Sequence, residues 1–166
     1  MRAARAFSLV EAVVSTAIVG MMFAAGISVV GASRLGQFRL ARGQQAHLLA
    51  QALMEEVLAQ GYSDSEASLF GTESGEATGT RAAFDDVDDY NDWSASPPQD
   101  KSGSTLDNLE GWRRTVSVAY ANPADTGQLV LEDLGVKRIT VAVYRDGAAL
   151  VELVAVRSRG KDAMEH

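Results

Sequence analysis

The sequence predicts an α+β protein: a long N-terminal helix, transmembrane in its first half and amphipathic in its second, packed on a small C-terminal antiparallel β-sheet. Three observations predict it. From Ala12 to Ser33 no residue is charged, a run long enough to cross a hydrocarbon core of about 30 Å as a helix. From Arg34 to Gln60 there is no proline, and apolar residues recur at helical spacing. From Trp112 onward the pattern alternates with period two, as half-buried strands do. A length of 166 residues suits one small domain besides the membrane segment.

Composition removes several classes of function. With no cysteine there are no disulfides, thiolate metal sites or cysteine nucleophiles. Apolar residues at 46% against charged residues at 22% exclude wholesale disorder. A net charge of −7 argues against a non-specific nucleic-acid coat, which needs Lys and Arg against phosphates. The charge is also uneven. Residues 1–60 carry five basic and three acidic side chains, residues 61–111 two and twelve, and residues 112–166 eight and seven. All of the excess negative charge therefore sits in the middle piece.

Arg2 and Arg5 precede the uncharged run with no acidic residue beside them. The positive-inside rule then predicts a cytoplasmic N-terminus, with everything after Ser33 across the membrane. A cleavable secretory signal competes, since Val30-Gly31-Ala32 offers small residues to a signal peptidase. The run is longer than the usual apolar core of such signals, and Glu11 lies near its start. A carboxylate in an inserted helix costs roughly 2.5–3.5 kcal/mol at the bilayer centre and less near an end. By position alone Glu11 either reaches the headgroups or meets a cationic partner.

Ala6-Phe7-Ser8-Leu9-Val10-Glu11, after a short basic leader and ahead of the apolar run, resembles the N-terminal signature of type IV pilins and type II secretion pseudopilins. The resemblance implies a pilin-like fold and a structural, non-enzymatic role. It implies that residues 1–6 are a leader that a prepilin peptidase removes between Ala6 and Phe7 on the cytoplasmic side, and that the new Phe7 amine is N-methylated. It further implies that Glu11 pairs with the N-terminal amine of a neighbouring subunit and so sets the axial register of a filament. An ammonium and a carboxylate are each expensive in a bilayer alone and far cheaper together. The implied partners are other pilin or pseudopilin subunits, the prepilin peptidase, an inner-membrane assembly platform and membrane lipid. The implied location is the bacterial inner membrane, single-pass, with a periplasmic C-terminal domain, and then a filament. The family usually has Gly where this chain has Ala6. Major pilins often carry a proline midway along the segment, whereas the first proline here is Pro97.

Residues 7–33 are thus expected to be the transmembrane helix. Ala12, Thr16, Gly20, Ala24 and Ser28, followed by Ala32 and Gly36, recur every four residues. Such a stripe lets helices approach closely in a membrane. The competing reading is plain Ala and Gly richness. Residues 34–60 continue the helix, with Leu35, Phe38, Arg42, Gln45, Leu49, Leu53 and Val57 at helical spacing and Gly61 as its stop. Gln44 to Gln60 also resembles the corresponding helix of I-type minor pseudopilins and PilV-like minor pilins. His47 reads as a polar-face residue of this helix.

Residues 61–111 form the acidic region, read as a long connection rich in Ser, Gly, Asp and Thr. Within it Asp85, Asp86, Asp88, Asp89 and Asp92 are candidate calcium ligands, hard oxygen donors at high density. Their order is not that of an EF-hand loop. The competing reading is a solvated acidic loop that Phe84, Tyr90 and Trp93 pin to the domain.

Residues 112–157 are the expected sheet, with strands at 112–120, 136–144 and 149–156 and a polar tail at 158–166. Asp146-Gly147 is a two-residue hairpin turn between the last two strands. Three or four strands with one apolar face need a cover, and residues 44–60 are the amphipathic helix that can supply it.

No catalytic residue is singled out. His47 and the terminal His166 sit in no triad-like context, and no phosphate loop, dinucleotide fingerprint or zinc motif occurs. Arg113-Arg114 is either an anion site or a strand-end pair that balances the acidic region. With Lys137 and Arg138 it could line a basic face, as a DNA-uptake or adhesion minor pilin would need. The expected function is a pilus or pseudopilus subunit. The alternative is a periplasmic binding protein or enzyme tethered by an uncleaved anchor.

Overall fold

The computed structural model describes residues 8–63, 70–73 and 79–162, with the side chains of 28–36, 38, 161 and 162 outside that description. The chain divides into two compact units, Met1–Arg42 and Gly43–His166. A single helix, α1, runs through Leu9–Leu58. It forms because the stretch has no proline and is dense in Ala, Leu, Met and Gln, which lose little freedom in a helix. The expected start at Phe7 lies outside the described residues.

In the first unit α1 begins at a side-chain cap. The Glu11 N–H donates to Ser8 Oγ at 3.2 Å, so Ser8 stands at the N-cap and Glu11 three residues on. Ser-x-x-Glu is the order of a capping box, and an acid in the first turn suits the positive pole of the helix. Leu9–Ile27 is 19 residues long with a mean hydropathy of 1.9, and none of it is buried. At 1.5 Å per residue it spans about 28 Å, close to the apolar thickness of a bilayer. By length and composition this segment is able to cross a membrane. A signal sequence near the N-terminus would have the same properties.

In the second unit the end of α1 covers a five-stranded antiparallel sheet. The strands are β1 (Ser94–Ala95), β2 (Trp112–Asn122), β3 (Asp125–Leu129), β4 (Val136–Arg145) and β5 (Ala148–Ser158). Their order is β1-β2-β4-β5, with β3 paired to the end of β2. A four-residue turn of helix, α2 (Arg159–Asp162), follows. The core joins Ala46, Ala50, Leu53, Met54 and Val57 of α1 to Val116 and Val118 of β2 and Ile139, Val141 and Val143 of β4. The α+β class and the helix-on-sheet packing are therefore as expected. The buried line on α1 differs in detail. Arg42 and Gln45 are exposed, the side chains of Leu35 and Phe38 lie outside the description, and among the described side chains burial begins at Ala46. Two alanines, Ala46 and Ala50, at 0% exposure let this part of the helix sit close to the strands.

The hairpin between β4 and β5 turns on Asp146 and Gly147, whose φ values of 50° and 82° are both left-handed. That is the signature of a type I′ turn, and it is why Asp-Gly is favoured there. Strand β3 was not expected. It has no apolar face and every residue is exposed. Side-chain turns hold it instead: Asn122 Oδ1 accepts the Ala124 N–H at 2.9 Å and Asp125 Oδ1 accepts the Gly127 N–H at 3.0 Å.

Candidate functional site

Two groups of residues carry the chemistry of the chain. The first is the apolar half of α1 with its one carboxylate. Glu11 is exposed, as are Leu9, Val10, Val13 and Val14 around it. Thr16 Oγ1 donates back to the carbonyls of Ala12 and Val13, at 3.0 and 2.9 Å, so its hydroxyl is satisfied within its own helix. A Cβ added at Gly20 or Gly26 would meet nothing within 4 Å. Ala12, Thr16, Gly20 and Ala24 are placed on α1 as expected, and Ser28 continues its helical backbone. Ala6 and Phe7 lie outside the described residues. Ser8 is the residue that sequence reading passed over, although Ser-x-x-Glu announces a helix start.

The second group lies in the Gly43–His166 unit, where the acidic region folds against the end of α1. Here the reading of a solvated loop is corrected. Asp86, Asp88 and Asp89 are buried, at 2–3% exposure. Asp86 Oδ1 accepts the N–H groups of Asp88 and Asp89 at 2.8 and 3.2 Å. Asp89 Oδ2 accepts those of Asp85 and Asp86 at 3.0 and 3.1 Å. These bonds close a single 3-10 turn at Asp88–Tyr90. Asp88 is ion-paired with Lys137 of β4. Asp85 and Asp92 are exposed. Asp86 and Asp89 thus cap backbone N–H groups, Asp88 pairs with Lys137, and Asp92 accepts from Asn91 Nδ2 at 3.2 Å. Among the described residues no group of three or more His, Cys, Asp or Glu side chains is gathered to hold a metal ion. Phe84 and Tyr90 do anchor the segment, buried and edge to face at 4.9 Å, and Trp93 packs partly buried against the same core.

Arg81, from the same region, is 1% exposed and forms a fork with Glu56 of α1: Nε to Oε1 at 2.8 Å and Nη2 to Oε2 at 3.1 Å. Its guanidinium lies 4.1 Å from the centre of the Trp93 ring. Tyr90 donates its hydroxyl to Glu56 Oε1 at 3.1 Å. Burial, and then the Glu56 carboxylate, raise the Tyr90 hydroxyl well above its ordinary pKa. Arg114 of β2 is 3% exposed and donates to the backbone oxygens of Leu49 and Gln99. Burial, with the neighbouring Arg81 charge adding to it, pushes its pKa down to about 10.

The basic residues are sorted by strand parity. Arg114 is buried while Arg113 is exposed, 4.4 Å over the Tyr144 ring across the strand pair. Lys137 is buried while Arg138 is half-buried and bonds Gly127 O at 3.4 Å. Neither a paired anion site at Arg113-Arg114 nor a common basic face with Lys137 and Arg138 is formed, because adjacent strand residues face opposite sides of the sheet. His47 is exposed on α1, as expected.

Each inward cation meets a backbone carbonyl on α1 or just beyond it. Arg114 Nη1 reaches Leu49 O at 3.3 Å, Arg157 Nη1 of β5 reaches Leu58 O at 3.3 Å, and Lys137 Nζ reaches Tyr62 O just beyond the helix. The last turn of α1 has no basic residue of its own. Leu58 O is an open carbonyl at the helix C-terminus, so Arg157 answers it and the negative pole there, while Arg114 meets a carbonyl of an inner turn and Lys137 one just past the helix. Tyr62 and Arg159 both donate to Asp133, a second tie between this end and the sheet. Burial works against the Asp133 carboxylate, but hydrogen bonds from Tyr62 and the Gly135 N–H outweigh it and hold its pKa below the ordinary value.

Comparison with protein-family models, with curated proteins and with solved structures returns no match.

Proposed function

We propose that this chain is a pilin-like structural subunit, of the minor pilin or pseudopilin kind, anchored in a bacterial inner membrane and assembled into a filament for protein secretion or pilus biogenesis. The observation that carries the proposal is Glu11, the one charged residue in the otherwise apolar, unburied window Leu9–Ile27. On this reading a prepilin peptidase cuts before Phe7, the new amine is methylated, and a neighbour's amine answers Glu11. The small residues Ala12, Thr16, Gly20, Ala24 and Ser28 offer neighbouring helices a close approach. The Gly43–His166 unit, held by buried polar contacts, suits an exported structural head.

N-terminal sequencing of the protein extracted from membranes tests the processing. A mature chain starting at methylated Phe7 is expected. A start at Met1 indicates an uncleaved tether for a periplasmic binding protein or enzyme, and a start near Ser33 a secretory signal. Glu11→Gln tests assembly: the variant should insert normally and be missing from sheared filaments. Incorporation at the wild-type level would sink the pairing of Glu11 with an amine.

A further inference from the structure

Strand β5 ends the sheet, and its backbone direction can be derived. The Val116 N–H donates to Trp93 O at 2.9 Å and the Val118 N–H to Asn91 Oδ1 at 3.0 Å. Even-numbered residues of β2 thus turn their backbone groups away from β4. The odd-numbered ones bond β4 through Arg138, Thr140 and Ala142. Ile139 and Val141 of β4 in turn bond Ala155 and Leu153 of β5. Among the described residues the N–H and C=O groups of Glu152, Val154 and Val156 are left pointing off the sheet without a strand partner.

Natural edges are kept apart by shortness, proline, lysine or bulges. The opposite edge obeys this, since β1 has only two residues. In β5 a register shift occurs near the hairpin, between Val143 and Tyr144 of its partner strand. From Val151 to Val156 there is no proline and no basic residue. Val154 and Val156 are 50% and 49% exposed on the outer face. On the inner face Val151, Leu153 and Ala155 are only half-buried, beside Val143, Val141 and Ile139 at 0%.

We propose that β5 pairs antiparallel with β5 of a second copy of this chain, about a two-fold axis at Ala155, to make one continuous sheet. Unpaired strand-edge groups accept an extended strand and little else. The charge pattern selects a second copy and this register. Glu152 lies early in the strand, while Arg159, paired with Asp133 yet well exposed, follows its end; Arg157 is buried on the inner face and takes no part. Pairing about Ala155 sets Val154 against Val156 of the copy, and Glu152 against its Ser158, next to its Arg159. A parallel pairing in register, or an axis through Glu152, sets two carboxylates face to face, which is unfavourable.

The absence of cysteine makes the test clean, because an introduced thiol is unique. In this register Ala155 meets its copy in a non-hydrogen-bonded pair, with Cα atoms about 4.5 Å apart, within reach of a disulfide. Full-length Ala155→Cys in detergent micelles should form a covalent dimer on mild oxidation. The yield should exceed that of the exposed control Thr105→Cys by about tenfold, as pairing raises the local thiol concentration. Adding Val154→Pro should abolish the excess, since it removes an outward N–H and no β4–β5 bond. Val156→Lys should act likewise without any backbone change. Circular dichroism and the melting midpoint verify that each fold is intact. Equal yields at positions 105 and 155, or an excess that survives both edge variants, would overturn the proposal. Association through the apolar half of α1 gives that surviving excess or equal yields, and occupation of the edge by a foreign strand gives no excess.

Discussion

The stretches Leu9–Ile27 and Ala46–Val57 belong to one unbroken helix, and both are rich in aliphatic side chains, yet nothing in the first is buried while Ala46, Ala50, Leu53 and Val57 are completely so. The difference lies in how the apolar residues are arranged. In the second stretch they keep to one stripe, with Gln51, Ala52 and Glu55 exposed on the other sides, so a single sheet face can cover them. In the first they occupy every side: Val13 and Val14, Ile18 and Val19, Met21, Met22 and Phe23. No one protein surface can bury a helix that is apolar all round. An apolar surface on every side is compatible with a lipid cover, and a signal sequence near the N-terminus would show the same pattern.

The contrast can be broken most forcefully from the buried side. Leu53→Ala removes a side chain with no exposure and should lower the unfolding free energy of the Gly43–His166 unit by about 2–5 kcal/mol. Ile18→Ala, the same kind of truncation at a residue 53% exposed, should change it by less than about 0.5 kcal/mol. Urea titration of both variants in the same detergent checks the pair. If Ile18→Ala proved equally damaging, the two stretches could not be treated as separate.

A second variant sharpens the contrast through polar groups. Arg81→Met leaves Glu56 without its fork and should destabilise by about 3 kcal/mol in the same titration. Glu11, in the other half, should tolerate neutralisation with no change in unfolding. A smaller loss than that of Arg81→Met is expected from Tyr90→Phe, about 1–2 kcal/mol near neutral pH for the lost bond to Glu56. Its signature is in the alkaline range. A tyrosine whose pKa the fold raises adds stability that is complete below its unfolded value of about 10 and disappears as pH climbs above it. Arg114 acts in the opposite sense. Its pKa is held down at about 10, so its penalty is full at neutral pH and is relieved as pH climbs from about 10 toward its ordinary range. Stability of the wild type should fall above pH 10 because the raised tyrosines Tyr62 and Tyr90 outnumber the one arginine. The fall should be shallower in Tyr90→Phe. Tyrosinate absorbance followed alongside unfolding measures both slopes.

Much of the fold was legible from local pattern, because helix and strand periodicity are written in neighbouring residues. The Asp146-Gly147 hairpin and the stripe from Ala46 to Val57 are examples. The buried charges were not read, although part of their signal was present. Arg114 shares parity with Trp112, Val116 and Val118, and Lys137 shares it with Ile139, Val141 and Val143, so strand alternation alone points both inward. What no local pattern could supply was their partners, which lie 15–65 and 49–75 residues away. The acidic region was misjudged for a related reason. Its aspartates satisfy backbone N–H groups within four residues, a use of carboxylates that net charge does not reveal. Of the candidate assembly residues, Glu11 has a place at the first turn of α1, while Ala6 and Phe7 fall outside the described chain.

The cation that finishes α1 also imposes an order in time. Leu58 O at the helix end waits for Arg157, a separation of 99 residues. A chain is made from its N-terminus, so the helix emerges long before the side chain that closes it. Contacts this distant in sequence are slow to form. Synthesis has to reach the last strand before the end of the first helix can be completed, which makes β5 the clasp that locks the domain as well as its open edge.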